Sequence, residues 1–203
     1  VCSPSNVENR YGWLMQFSDG VRLDLHVNTL QYALGEIKGD PVYQILLDKD
    51  NCLSEPPLRA EKHYWIKRPT EAEFHCTCNE FWWCLNNVAK GLWREEIPYV
   101  MDMLTLNVRP VLVRLFGWKV GIETEFSVSA GKSGKYLRRW LPAEVWERYL
   151  RTYPKAVADD IWEAVFVMCG LVDSIAEEVG IKLGFEYNCE EAYGSRSYLE
   201  HVR

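Results

Sequence analysis

The segment from Pro69 to Trp93 constrains this 203-residue chain more than any other. Thr70 followed by Glu73, directly behind Pro69, is a capping-box pattern. The Thr hydroxyl accepts from a first-turn amide while the Glu carboxylate reaches back to the cap amide. A long helix running to about Trp93 is predicted. At about 100° per residue, Phe74, Cys78, Phe81, Trp82, Leu85, Val88, Ala89 and Leu92 share one broad face. A stripe so wide has to be buried by other helices, so the chain must build a bundle around it. Glu95 to Trp118 reads as a second helix, apolar on nearly every side and therefore central. Pro98 is tolerable in its first turn and Pro110 should kink it. Gly131 to Lys135 marks a loop, Pro142 to Tyr153 and Asp159 to Gly180 are two more amphipathic helices, and Ser197 to Arg203 reads as the start of another.

The first third has a different period. Tyr11 to Phe17 and Val21 to Val27 are β-prone runs around Ser18-Asp19-Gly20, a hairpin signal. In the second run Val21, Leu23, Leu25 and Val27 alternate with Arg22, Asp24 and His26. A strand would bury the first set and show the second on the opposite face. A short helix is expected near Leu30 to Ile37 and a strand over Tyr43 to Leu47. Ser54-Glu55-Pro56-Pro57 opens a linker reaching to Pro69. The fold class is therefore α+β: residues 1–67 form part of a mixed sheet domain and residues 68–203 a helical bundle. One hairpin and one further strand make a poor sheet, so sheet partners are expected upstream in a longer parent or in another chain.

Charge and cysteine content exclude several classes. With 29 acidic and 23 basic residues the formal charge is −6, which disfavours the phosphate-neutralising surface of a nucleic-acid binder and is compatible with a cationic ligand. No apolar run approaches the roughly 18 residues of a membrane span, and no signal-peptide pattern is read, so a cytoplasmic protein without membrane attachment is expected. Seven cysteines, three of them (Cys76, Cys78, Cys84) crowded on one helix, argue against a disulfide framework. Cys76 and Cys78 diverge by about 200° on a helix and cannot share a zinc ion with His75, so small core residues are the better account.

Opposite the apolar stripe, Glu80, Trp83, Asn87 and Lys90 fall within an arc of about 80°. A Trp in a polar face has two readings. It packs against a neighbouring helix or domain, or it belongs to a ligand wall with an aromatic for stacking, a carboxylate for cations and an ammonium for phosphate. Tyr99 and Asp102 lie near the end of this stripe and could offer a hydroxyl and a carboxylate to a guanidinium, unless Asp102 pairs with Arg109. Gly131 to Lys135 lacks the spacing of a phosphate loop, leaving a solvated turn or a basic loop that reaches a triphosphate through Lys132 and Lys135.

The strings YGWLMQFSDGVRLDLHV, LLDKDN, CNEFWWCLNNVAKGLWREEIPYV, GKSGKYLRRWLP and SYLEHVR closely resemble the aminoglycoside 6-adenylyltransferases, the streptomycin-modifying enzymes, over essentially the whole chain. That resemblance implies a nucleotidyltransferase α/β domain followed by a helical bundle. It implies transfer of AMP from ATP to a drug hydroxyl, with Mg²⁺ and release of pyrophosphate, as antibiotic resistance. In this family a Gly-Ser motif and an Asp-x-Asp metal pair precede a third carboxylate. RLDLHV matches the third position, making Asp24 the catalytic base and, with upstream carboxylates, a metal ligand. Lys90, Lys132 and Lys135 are then expected on the nucleotide, and Glu80, Trp83, Asn87, Tyr99 and Asp102 around the drug. Asp48 and Asp50 follow the third carboxylate and are read as a polar strand end. The partners expected are the aminoglycoside and ATP, with a homo-oligomer left open. The chain alone is expected to be inactive, and the competing reading is a non-catalytic remnant that acts only as a drug-binding or scaffold module.

Overall fold

The computed structural model describes residues 8–203; the predicted first domain's opening, Val1 to Val7, lies outside the described residues. The class is α+β, and the chain divides into two compact units, Val1–His63 and Tyr64–Arg203.

In the first unit β1 (Arg10–Gln16) and β2 (Arg22–Asn28) form an antiparallel pair. The Asp-Gly turn closes it with Phe17 N donating to Val21 O at 2.8 Å, and Gly20 takes a φ of 87° that a side chain would resist. The helix α1 (Leu30–Gly39) follows, with Thr29 as its cap. Pairing of Gly12 with His26 and of Leu14 with Asp24 places the polar residues of β2 on one face. On that face Arg10 reaches α1 by pairing with Glu36 at 2.9 Å. His26 lies across β1 at Gly12, where an added Cβ would fall 2.4 Å from its ring. Two expectations fail here. Val21, Leu23, Leu25 and Val27 are exposed rather than buried, because among the described residues no second layer covers that face of the two-stranded ribbon. Tyr43 to Leu47 forms no strand; the segment is irregular, with a bend at Leu46, and Tyr43 OH donates to Ser54 O at 2.5 Å.

The second unit is the bundle. Helix α2 (Glu71–Trp93) begins in the expected capping box, with Thr70 N donating to Glu73 Oε2 at 2.8 Å and Glu73 N to Thr70 Oγ1 at 3.2 Å. Its apolar face is buried as the wheel requires, Phe74, Phe81, Leu85, Val88 and Ala89 completely. The predicted second helix is three pieces. Helix α3 (Ile97–Met103) passes into a π-helical turn (Leu104–Val108) and then α4 (Arg109–Glu123). Pro110 accounts for the wide turn: it has no N–H to donate and its ring crowds the carbonyl four residues back. Leu112, Leu115, Phe116 and Val120 on α4 are fully buried against α6 (Ala158–Leu183). Helix α5 (Ala143–Leu150) also packs on α6. Helix α7 (Cys189–Val202) starts earlier than its sequence signal at Ser197, capped by Asn188, and lies along α2. No helix among the described residues is long and apolar enough to cross a membrane.

Of the cysteines, Cys78 and Cys84 on α2 are core residues as expected, Cys169 on α6 is also in the core, and burial pushes the Cys78 and Cys169 thiols up to about 12. Cys76 is exposed, a correction to its core reading that follows from its position one-half turn from Cys78. Phe81→Ala should destabilise the bundle by about 3–5 kcal/mol, since it empties a fully buried site. Thr70→Ala should cost about 1 kcal/mol, since it removes one cap. Denaturant unfolding of both variants, followed by helical circular dichroism, checks the ratio.

Candidate functional site

The polar stripe on α2 opens onto two separate hollows, both within the bundle. The first, about 760 Å³, lies between the start of α2, the flank of α4 and the Gly131–Gly134 loop. Its walls include Arg68, Glu73, Cys76, Thr77, Glu80, Arg114, Gly131, Ser133 and Gly134. The loop is a short 3-10 turn with positive φ at Gly131, Ser133 and Gly134, which folds it back on itself through Gly134 N donating to Gly131 O at 3.1 Å. Gly134 is seated against Val113 and Leu137 so closely that a Cβ there would meet Leu137 at 2.7 Å. The turn is therefore docked on α4, not a loose solvated connection.

Arg114 donates to the buried Thr77 hydroxyl at 3.2 Å, which aims a guanidinium across the first hollow. The Glu73 carboxyl is held below its usual range by the Thr70 amide and hydroxyl, with a smaller contribution from Arg114. Glu80 accepts from the Cys84 thiol at 3.3 Å; burial first and Glu80 second push that thiol up to about 11. Lys132 and Lys135 alternate with the wall residues of the loop, Lys135 with its ammonium 5.0 Å from the Tyr136 ring centroid.

The second hollow, about 490 Å³, is the cleft between α2 and α7, lined by Trp83, Asn86, Asn87, Lys90, Glu191, Ser195 and Tyr198 among others. Trp83 is 67% exposed, so it is not buried against a neighbouring helix of the bundle, and it lines the cleft. A polar chain behind the cleft sets its floor. Trp82 Nε1 donates to Tyr187 OH at 3.1 Å, and that hydroxyl donates to Asp173 Oδ1 at 2.8 Å. Arg196 pairs with the other oxygen of Asp173, Ser195 Oγ donates to the Trp82 carbonyl at 3.1 Å, and Asn79 bonds Glu191. Burial, with Asp173 adding to it, raises the Tyr187 phenol above its usual range, so it stays a donor.

The stripe is thus divided: Glu80 belongs to the first hollow, and Trp83, Asn87 and Lys90 to the second. Lys90 therefore stands with Trp83 rather than with the loop lysines. Tyr99 packs beside α2, its ring 3.1 Å from where a Gly91 Cβ would sit. Asp102 does not pair with Arg109. That guanidinium is buried, donates to the Thr152 carbonyl at 2.7 Å and lies 4.0 Å from the Tyr153 ring centroid. Asp24, in the first unit, has both oxygens engaged by Arg22, at 2.9 and 2.8 Å, and that contact keeps its carboxyl below the ordinary range. His26 turns instead to Arg10, 3.4 Å away.

Sequence reasoning missed Arg68, Thr77 and Arg114 in the first hollow and Glu191, Ser195 and Tyr198 in the second. An arginine in the otherwise apolar run of α4 was the available signal for Arg114. The α7 residues carried none, because only packing brings them to α2.

The chain matches the family described as streptomycin adenylyltransferase over residues 1–202. It is 34% identical over 181 residues to an aminoglycoside 6-adenylyltransferase of Campylobacter jejuni, covering 89% of this chain and 63% of that protein. It is 33% identical over 185 residues to the Bacillus subtilis (strain 168) protein of the same name, covering 91% of this chain and 65% of that one. The chain therefore spans a little under two thirds of the length of these relatives. A crystal structure of an aminoglycoside 6-adenyltransferase from Bacillus subtilis superposes with a TM-score of 0.64 at 32% identity, over 97% of this chain and 72% of that one.

Trp83→Ala should change unfolding free energy by no more than about 0.5 kcal/mol, because an exposed side chain leaves no cavity. A melting curve shifted by many degrees would return Trp83 to a packing role.

Proposed function

We propose, because the chain belongs to the streptomycin adenylyltransferase family, that it is the drug-binding bundle and part of the catalytic domain of an aminoglycoside O-adenylyltransferase. The supporting observation is the first hollow. It joins a docked glycine-rich turn and two guanidiniums, Arg68 and Arg114, to the carboxylates of Glu73 and Glu80; Lys132 and Lys135 belong to the turn but do not line the hollow. Arginine forks and loop amides suit the oxygens of a triphosphate, and Glu80 suits a guanidinium or ammonium of an aminoglycoside. The second cleft, with Trp83, Asn87 and Lys90, offers stacking and amide contacts of the kind that orient a sugar-like ligand.

In this reading the drug hydroxyl attacks the α-phosphorus of ATP. The new phosphorus–oxygen bond forms as the bond to the β-phosphate oxygen breaks, pyrophosphate leaves, and the hydroxyl proton passes to Asp24. An aspartate is ionised at neutral pH without help; the Arg22 contact lowers its pKa further and so makes it a weaker base while it lasts. To accept the proton, the carboxylate must exchange Arg22 for the hydroxyl. Magnesium, expected with the triphosphate, is not provided for by these residues. Among the described residues no three His, Cys, Asp or Glu side chains cluster to hold a metal, and Asp24 alone is one carboxylate already engaged.

The test is formation of adenylylated streptomycin by the parent enzyme, detected by its mass. Asp24→Asn should lower kcat by about 10²–10⁴-fold with little change in melting temperature. Arg114→Ala should chiefly raise KM for ATP, by roughly tenfold, for the loss of one charge-assisted contact. Turnover of Asp24→Asn within a few-fold of wild type would remove Asp24 from the base role. Drug binding without any adenylylation would favour a binding module instead.

A further inference from the structure

A third hollow shares no residue with the two described above. Here residues at the ends of α5 and α7 and on the flank of α6 form a shallow, open hollow of about 500 Å³ lined by Arg148, Arg151, Glu163, Phe166, Val167 and Arg203. Three guanidiniums face one carboxylate, and among the described residues none of the four makes an ion pair. In a chain of net charge −6 with more acids than bases, this is a local surplus of positive charge left unspent.

Two of the arginines touch the bundle beside them: Arg148 is half-buried, and Arg203, though exposed, lies near an aromatic ring. Arg148 lies over the α6 backbone at Gly170, where a Cβ would come within 3.2 Å of its Nη2. Arg203 rests 5.5 Å from the Phe166 ring centroid, and Phe166 itself stacks on Trp162 at 6.0 Å. Helix dipoles favour cations at both of these helix ends, which accounts for arginine there. They do not account for three arginines from the ends of two helices lining one hollow with a single acid, Glu163, that pairs with none of them. Planar forks oriented by packing, with their donors unused, are the chemistry that binds phosphate oxygens.

We propose that this hollow is a binding site for a phosphate-type oxyanion, either free or carried on a small phosphorylated metabolite. Arg148, Arg151 and Arg203 donate to its oxygens, Phe166 supports the Arg203 plane, and Glu163 on the rim limits affinity by repulsion. The site does not depend on the adenylyltransferase reading, since no residue is shared with it.

The test is site-resolved. Inorganic phosphate is titrated into the protein in magnesium-free chloride buffer while the arginine Nε–Hε signals are followed by NMR. Saturable shifts of Arg148, Arg151 and Arg203 with one common Kd are expected. Arg148→Gln should weaken that Kd by about tenfold, Arg148→Lys should weaken it by a few-fold because the fork is lost while the charge is kept, and Glu163→Gln should tighten it by a few-fold. Arg114→Gln should leave it unchanged. Adenosine monophosphate binding far more tightly than phosphate would identify a phosphorylated metabolite as the source, and equal affinities a free anion. Linear, unsaturating shifts, or a Kd unaltered in both Arg148→Lys and Glu163→Gln, would overturn the proposal.

Discussion

Burial of the α2 stripe underlies everything else in the bundle. Phe74, Phe81, Trp82, Leu85 and Val88 form one continuous apolar ridge, and α4, α6 and α7 are arranged to cover it. The ridge spans about four turns of a 23-residue helix, several neighbours share its cover, and the hollows open where the covering helices end. The first lies where the chain entering α2 and the loop after α4 leave the polar flank of α2 uncovered. The second lies where α7 runs beside α2 without closing over Trp83. A helix this long, buried on one side only, makes both sites in the same act of packing.

Polar contacts then fix what the hydrophobic ridge leaves free. Apolar packing tolerates small slides of α7 along α2, but the chain from Trp82 through Tyr187 to Asp173 and Arg196 does not. Each group is partly buried, and leaving one unpaired would cost about 1–3 kcal/mol. This is how Ser195 and Tyr198 come to lie opposite Trp83 and Asn87. Arg114 does the same for the first hollow: its bond to the buried Thr77 ties α4 to α2 and aims the guanidinium.

The hairpin unit obeys different physics. Its pairing and its Asp-Gly turn are local, so they form as the sequence directs. Its apolar face, Trp13, Leu25 and their neighbours, has no covering layer among the described residues, and alternation alone could not reveal that. Asp24 stands on the polar face as the pattern required, yet its partner is Arg22, two residues away on the same strand. Strand periodicity puts both on one face and says nothing of whether they touch.

The local rules were legible without coordinates. The capping box at Thr70, the α2 wheel and the kink ahead of Pro110 follow from spacing, because each depends on residues within a turn or two of one another, whereas the exposure of Trp83 was decided only by the packing. Tertiary structure alone decided that Glu80 parts company with Trp83 and Lys90, that the Gly131 loop docks on α4, and that α7 supplies half of a cleft. It likewise decided that Arg109 turns to Thr152 and Tyr153 rather than to Asp102. Those outcomes rest on contacts between residues tens of positions apart. Such contacts depend on which apolar faces find each other, and periodicity within one element does not specify that choice.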